Sequence, residues 1–240
     1  EKVSKQIGGA VLSLAIKQYV YVTVKKHSGI FDDKYRLQYS ETERCKNIND
    51  IKNNIIRNTL KYFNIDQPLV INTISDIPAS TGLGSSSSFT VGLVNALNQM
   101  FNLGISNTSI PEISFLIEKS IKGNKIGRQD MYAAATGGLN LFEFGSKNTI
   151  TPILNTDTIS KEILSASRIF YTNIQRSANS ILSKQNEEID LNLNYYSQMR
   201  DIALQGYKTI SISSKNLKNE FINILRENTS LKYKLHNKIL

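Results

Sequence analysis

The sequence predicts a two-domain α+β chain, and three observations carry that expectation. A strand-like run from Leu69 to Ile74, a glycine- and serine-rich stretch from Pro78 to Ser88 and a helix-like run from Phe89 to Phe101 follow one another in that order. Strand patterns recur through the first part of the chain, whereas from about Asn155 one strand is followed by helices with 3.6-residue apolar periods. With 240 residues the chain can bury a core in one large or two small domains. The change of pattern places an N-terminal domain over residues 1–155 and a C-terminal one over 156–240.

Taken in order, Gly8 to Val24 reads as a strand pair, Ala10 to Ile16 and Tyr19 to Val24, turning at Lys17 and Gln18. Tyr35 to Tyr39 alternates as a short strand. From Asn47 to Phe63, Ile48, Ile51, Ile55, Ile56, Leu60 and Phe63 recur at helical spacing. Pro68 then opens the strand that leads to the glycine-rich stretch. Ser109 with Glu112 three positions on reads as a capping box, with Pro111 tolerated in the first turn. The helix that follows, Ile110 to Ile121, has Ile113, Leu116, Ile117 and Ile121 as its apolar face and Glu118 at the edge of that stripe. Leu139 to Phe144 and Ile150 to Leu154 read as strands completing the first domain. Beyond them come a strand from Arg168 to Thr172 and helices from Ser177 to Asn186, Asp190 to Tyr207 and Ser213 to Leu225. Asp190 is a good cap, and Tyr195, Tyr196, Met199, Ile202 and Ala203 form the core face of the longest helix.

Composition narrows the function classes. Charged residues make up 20% and hydrophobic ones 40%, an ordinary soluble balance. No apolar run reaches membrane-spanning length and no signal-like segment opens the chain, so a cytoplasmic protein without a membrane partner is expected. Cys45 is the single cysteine and cannot form an internal disulfide. The net charge of +9 invites a nucleic-acid partner, but the basic residues are scattered and do not alternate with aromatics. Specific nucleic-acid binding is therefore not expected, and steering of an anionic small substrate explains the charge at least as well. His27 and His236 match no ligand or triad spacing and are assigned no role.

The stretch from Pro78 to Ser88 is the richest in chemistry. Gly82 and Gly84 permit positive φ and close approach to a ligand. A helix start presents unpaired N–H groups and the positive end of the dipole, a ready seat for phosphate. The four serines, Ser85 to Ser88, add hydroxyls for an anion or a metal. A flexible connector or a serine cap would use the same residues. Neither a Lys-Ser/Thr pair nor a third dinucleotide-type glycine is present, so the better-known phosphate loops do not fit. Other polar residues are equally two-sided. Glu118 is a metal ligand or a solvated neighbour of Lys119 and Lys122. Asp130 is a functional carboxylate or an N-cap or first-turn aspartate. Arg128 touches a phosphate or faces solvent, Gln129 is a weaker hydrogen-bonding candidate, and Arg176, between a strand end and a helix, holds an anion or stands exposed.

Pro78-x-x-x-Gly82-Leu83-Gly84-Ser85-Ser86-Ser87 resembles the ATP-binding motif of the GHMP kinases. Gly127-Arg128-Gln129-Asp130-x-Tyr132-Ala133-Ala134-Ala135-x-Gly137-Gly138 and Phe170-Tyr171-Thr172-x-x-x-Arg176-Ser177-Ala178 are similar to the bacterial members that phosphorylate D-glycero-D-manno-heptose 7-phosphate at the anomeric hydroxyl. The likeness runs from about Ile7 to about Leu182. It implies a ribosomal-protein-like N-terminal α/β domain with an α+β C-terminal domain, ATP and Mg²⁺ as cofactors, and a sugar-phosphate substrate. It also implies a phosphotransferase with an alcohol acceptor that makes the 1,7-bisphosphate for surface-polysaccharide precursors. A fucokinase-like sugar-1-kinase, or a non-catalytic nucleotide- or partner-binding relative, is the alternative, and a homodimer is compatible with either.

By the same resemblance Pro78, Gly82, Leu83, Gly84, Ser85, Ser86, Ser87 and Ser88 bind ATP, and Ser86 and Glu118 hold Mg²⁺. Asp130 faces the acceptor hydroxyl as the catalytic carboxylate, while Gln129, Asp130 and Arg176 contact the sugar phosphate. An earlier strand bearing a basic residue, a sugar-holding glycine-rich segment and a C-terminal glycine-rich motif are further features of these kinases. None of the three is found between Glu1 and Leu240, so the fold is expected to be incomplete at both ends.

Overall fold

The two strands expected to pair across Lys17 and Gln18 join different sheets. In the computed structural model, which describes residues 2–123, 126–153, 161–165, 167–171, 192–212 and 217–235, helix α1 (Lys2–Ile7) leads into β1 (Gly9–Leu14), and β2 (Val20–Lys26) follows. A tight hairpin turn wants glycine or asparagine at positive φ, which Lys17-Gln18 does not supply. Each strand has a distant partner instead. Ala15 N–H donates to Gly138 O at 2.9 Å, and Tyr19 N–H to Asp76 Oδ2 at 2.7 Å.

Contacts divide the chain into two compact units, Lys17–Ala135 and Glu1–Ile16 with Thr136–Leu240. The first is built on a four-stranded sheet of β2, β3 (Tyr35–Gln38), β4 (Thr42–Cys45) and β5 (Leu69–Ser75), in the spatial order β2-β5-β3-β4. β5 runs antiparallel to β2 and parallel to β3, with Ile71 opposite both Val24 and Leu37. The alternation expected for half-buried strands is present: Tyr35, Leu37, Leu69 and Ile71 are wholly buried.

Helices α2 (Asn54–Tyr62), α3 (Ser85–Phe101) and α4 (Ile110–Lys122) bury their apolar faces in this unit. The single helix expected from Asn47 to Phe63 is divided. A 3₁₀ turn covers Ile48–Asp50, and α2 starts only after Asn53, whose side chain accepts from Ile56 N–H. Buried Glu43 of β4 fixes that break by accepting from the amides of Lys52 and Asn53 at 2.6 and 3.0 Å. Ile51, Ile56, Leu60, Phe89, Leu93 and Leu97 complete the core, each contributing about 1.5–3 kcal/mol by leaving water. A second cluster, Val94, Ile110, Phe115, Ile117 and Met131, joins α3 and α4 to α5 (Gln129–Thr136).

Two expectations for α4 are corrected. Leu116, placed on the apolar face, is 43% exposed, while Glu118, placed at its edge, is wholly buried. The capping box does not form either. Ser109 makes no side-chain cap bond, because its hydroxyl pairs with Ser106 Oγ at 2.7 Å and Glu112 is drawn to Arg128.

In the other unit β1 pairs with β6 (Leu139–Phe144), Leu12 opposite Leu141, and β6 with β7 (Thr149–Pro152). Helices α6 (Leu193–Ser211) and α7 (Leu217–Leu235) pack here. The residues expected to form the core face of α6 are half-buried, and its buried positions are Gly206 and Ile210. A Cβ at Gly206 would stand 3.2 Å from Leu12 Cδ2 and 3.3 Å from Ile224 Cδ1. Gly206→Leu is therefore expected to lower stability by about 1–3 kcal/mol through overpacking, seen as an earlier thermal unfolding midpoint. Residues 168–171 form no strand, against expectation, and Ile169, Phe170 and Tyr171 are exposed. The expected helix Ser177 to Asn186 and the cap Asp190 lie outside the described residues. Among the described residues no helix is long and apolar enough to cross a membrane.

Candidate active site

Gly84 shapes the loop between β5 and α3. It adopts φ 72° and ψ 24° and is the N-cap of α3, a left-handed conformation that costs a residue with a Cβ about 1–2 kcal/mol. Gly82 and Ser80 are also at positive φ, and Thr81 Oγ1 donates to Pro78 O at 3.3 Å to close the turn. The helix expected to start at Phe89 starts at Ser85, so Ser85 to Ser88 form its first turn. Ser88 N–H donates to Gly84 O at 2.9 Å. The amides before it precede the first intrahelical acceptor and suit an anion at the positive end of the helix. Pro78 and Leu83 are exposed, Ser85, Ser86 and Ser88 are partly so, and Ser87 is buried.

The other half of the site comes from α4 and α5. Glu118 on α4 reaches the first turn of α3: Ser86 Oγ donates to its Oε2 at 3.0 Å and Thr90 Oγ1 to its Oε1 at 2.9 Å. Lys122, one turn further along α4, pairs with Oε2 and donates to Ser86 Oγ at 3.0 Å. A wholly buried carboxylate survives because each oxygen has a donor and a cation lies beside it. Asp130, in the first turn of α5, lies against the loop. A Cβ on Gly84 would come within 3.3 Å of Asp130 Cβ and 3.4 Å of its Cγ. Ser86, Glu118 and Asp130 thus gather beside the glycine loop.

Asp130 retains exposed surface, but protein crowds its carboxyl, and this desolvation is the main reason its pKa is raised above the ordinary carboxylate value. A hydrogen bond from Gln129 opposes the rise, the charge of Glu118 adds to it, and the charge of Lys122 opposes it. Gln129 is exposed beside it. Arg128, read from sequence as a phosphate contact or a solvent-facing residue, is part-buried and held by protein groups. Its guanidinium bonds Glu112 at 2.9–3.2 Å and stacks 3.9 Å from the centre of the Phe115 ring. Arg176 lies outside the described residues.

Ser86 Oγ and Glu118 Oε2 converge on a cationic nitrogen, so these two hard oxygens suit a small divalent ion such as Mg²⁺. Among the described residues no group of three or more His, Cys, Asp and Glu side chains gathers to hold a metal. The remainder of an Mg²⁺ shell would come from phosphate oxygens and water. Thr90 was not singled out from sequence, and Lys122 entered only as a solvated neighbour of Glu118. Thr90 is one helical turn from Ser86, and Lys122 stands four residues after Glu118, a spacing that also describes ordinary solvated pairs.

Residues 49–138 match the family model described as GHMP kinases N terminal domain. The D-glycero-alpha-D-manno-heptose 7-phosphate kinase of Campylobacter jejuni is 32% identical over 185 residues, 72% of this chain and 54% of that protein. The mevalonate kinase of Methanocaldococcus jannaschii is 40% identical over 70 residues, 28% of this chain and 22% of that protein. The chain thus spans about half the length of the first relative and less of the second. Among solved structures, a D-glycero-D-manno-heptose 1-phosphate kinase from Bacteroides thetaiotaomicron has a TM-score of 0.75 at 21% identity, covering 96% of this chain and 72% of that one. The M. jannaschii mevalonate kinase structure has a TM-score of 0.63 at 24% identity, covering 95% and 73%. These two likenesses show the fold, a mixed α+β two-domain architecture.

Proposed function

We propose, from the match of residues 49–138 to the GHMP kinases N terminal domain and the 32% identity to the Campylobacter enzyme, that the chain is an ATP-dependent sugar-phosphate kinase. Its acceptor is the anomeric hydroxyl of D-glycero-D-manno-heptose 7-phosphate and its product the 1,7-bisphosphate, a precursor for surface polysaccharide. The observation that carries this proposal is the gathering of Ser86, Glu118 and Asp130 beside Gly84. The heptose phosphate is favoured over other acceptors by the 32% identity to the Campylobacter enzyme.

The loop from Pro78 to Ser88 seats the ATP phosphates on the first amides of α3 and on the hydroxyls of Ser85, Ser86 and Ser88. Leu83 and Gly82 shape its outer rim, and Ser87 anchors it from the buried side. Ser86 and Glu118 would hold Mg²⁺, which when bound neutralises charge on the phosphate oxygens. Asp130, with Gln129 beside it, orients the anomeric hydroxyl. Its carboxylate takes the proton as the sugar oxygen bonds to the γ-phosphorus and the bond to the β-γ bridging oxygen breaks, leaving ADP. Because such a transition state is loose, most of the rate comes from alignment and charge stabilisation.

Arg176 is assigned to the phosphate that the acceptor already carries. A coupled assay of ATP consumption with heptose 7-phosphate, and with fucose as the unphosphorylated control, tests the whole proposal. Arg176→Ala should raise KM for the heptose phosphate roughly tenfold or more, as expected for a lost charged hydrogen bond, with little change in kcat. An unchanged KM would remove Arg176 from the phosphate subsite, and turnover of fucose but not of heptose 7-phosphate by the parent would discard the heptose phosphate in favour of a sugar-1-kinase with an uncharged acceptor.

A further inference from the structure

Lys122 stands where the divalent ion of the proposed site would sit. Its ammonium pairs with Glu118 Oε2 and donates to Ser86 Oγ at 3.0 Å, the two oxygens assigned to the metal. We infer that Lys122 is a resident cation of this site, holding Glu118 and Ser86 in place until a divalent ion displaces it. The inference rests on the assignment of Ser86 and Glu118 as metal ligands.

Three features support displacement over permanent occupancy. The lysine side chain is 27% exposed, whereas Glu118 is wholly buried, so the ammonium has a route to water that the carboxylate lacks. Lys122 is the last residue of α4 and Gly123 follows at φ 64°, so the lysine sits at the end of the helix and not within it. A divalent ion carries twice the charge and accepts several oxygen ligands, where an ammonium can only donate three hydrogen bonds. In the metal-free protein the lysine neutralises a buried carboxylate that would otherwise be costly. On metal entry it becomes a competitor. Lys122 is thus a positioning residue that sets how much divalent ion the site requires.

Mn²⁺ alone, titrated into the full chain and followed by loss of the free-ion electron paramagnetic resonance signal, tests this without turnover. Lys122→Met keeps the stem and removes the charge, and should lower the Mn²⁺ dissociation constant about tenfold, a size usual for two ligands coupled through a shared group. Lys122→Arg restores a cation and should return the constant close to the parent value. Glu118→Gln, similar in volume to the glutamate, should abolish this binding. Circular dichroism on each variant establishes that it is folded. Unchanged Mn²⁺ affinity in Lys122→Met, with binding still lost in Glu118→Gln, overturns the resident-cation role and leaves the metal assignment standing. Mn²⁺ binding that persists unaltered in Glu118→Gln removes the metal assignment itself, and the role of Lys122 with it.

Discussion

Asp130→Asn is expected to lower the turnover of sugar phosphorylation by about 10²–10⁴-fold, the usual contribution of a positioned general base, with little change in the KM for ATP. Asparagine matches the aspartate in size and still packs against Gly84, so the loop keeps its shape. It cannot accept the hydroxyl proton. The raised pKa of Asp130 adds a pH signature: its acid limb in kcat/KM should lie above the ordinary carboxylate range.

Stability should move the opposite way. A carboxyl whose folded pKa exceeds its unfolded value costs nothing below the unfolded pKa, destabilises progressively as pH rises between the two values, and carries its full, constant penalty above the folded one. In metal-free buffer the asparagine variant should therefore melt at a higher temperature than the parent at neutral pH, with the difference disappearing in acid. Activity would be traded for stability at this position. Parent-like turnover in Asp130→Asn, measured by ATP consumption with the heptose phosphate, would discard the proposed mechanism.

Glu118→Ala should be the most damaging change to fold and chemistry together. It removes the acceptor of Ser86 and Thr90, deserts Lys122 and leaves a cavity between α3 and α4. Breaking a fully buried ion pair costs about 3–5 kcal/mol, but Lys122 can turn to water and Thr90 Oγ1 also bonds Ser86 O at 3.0 Å. The expected loss is therefore about 1–3 kcal/mol, in line with unsatisfied polar groups and a modest void. Phosphoryl transfer should fall by at least about 10²-fold, as it does when a preorganised electrostatic group is removed. Chemical denaturation beside the kinetic assay separates the two effects. A variant with parent activity and reduced stability would confine Glu118 to a structural role.

The parts of this protein most readable from sequence are those whose chemistry demands particular residues. Gly84 suits its backbone angles as glycine, and the run from Phe89 to Phe101 announces a helix after a phosphate-friendly turn, although that helix begins four residues earlier, at Ser85. Although Ile51 is buried at the break before α2 and not from a helix, Ile56 and Leu60 were equally plain because a helical stripe has one period. Strand pairing was not, since β1 meets Leu139–Phe144 far along the chain, and nothing local distinguishes that from a hairpin. β4, only four residues long, was missed altogether. Glu118 looked marginal because periodicity counts apolar residues, whereas its burial depends on hydroxyls from another helix. The pairing of Arg128 with Glu112 is a tertiary event across sixteen positions.

That last contact determines more than its own energy. Arg128 clasps Glu112 and lies on the face of Phe115, while Lys119 reaches the same ring, 5.6 Å from its centre. Tyr132 also donates to Glu112, at 3.2 Å. The start of α5 is therefore riveted to the helix that bears Glu118. The Phe115 ring thereby becomes the gauge block for the spacing between Asp130 and the buried Glu118 carboxylate.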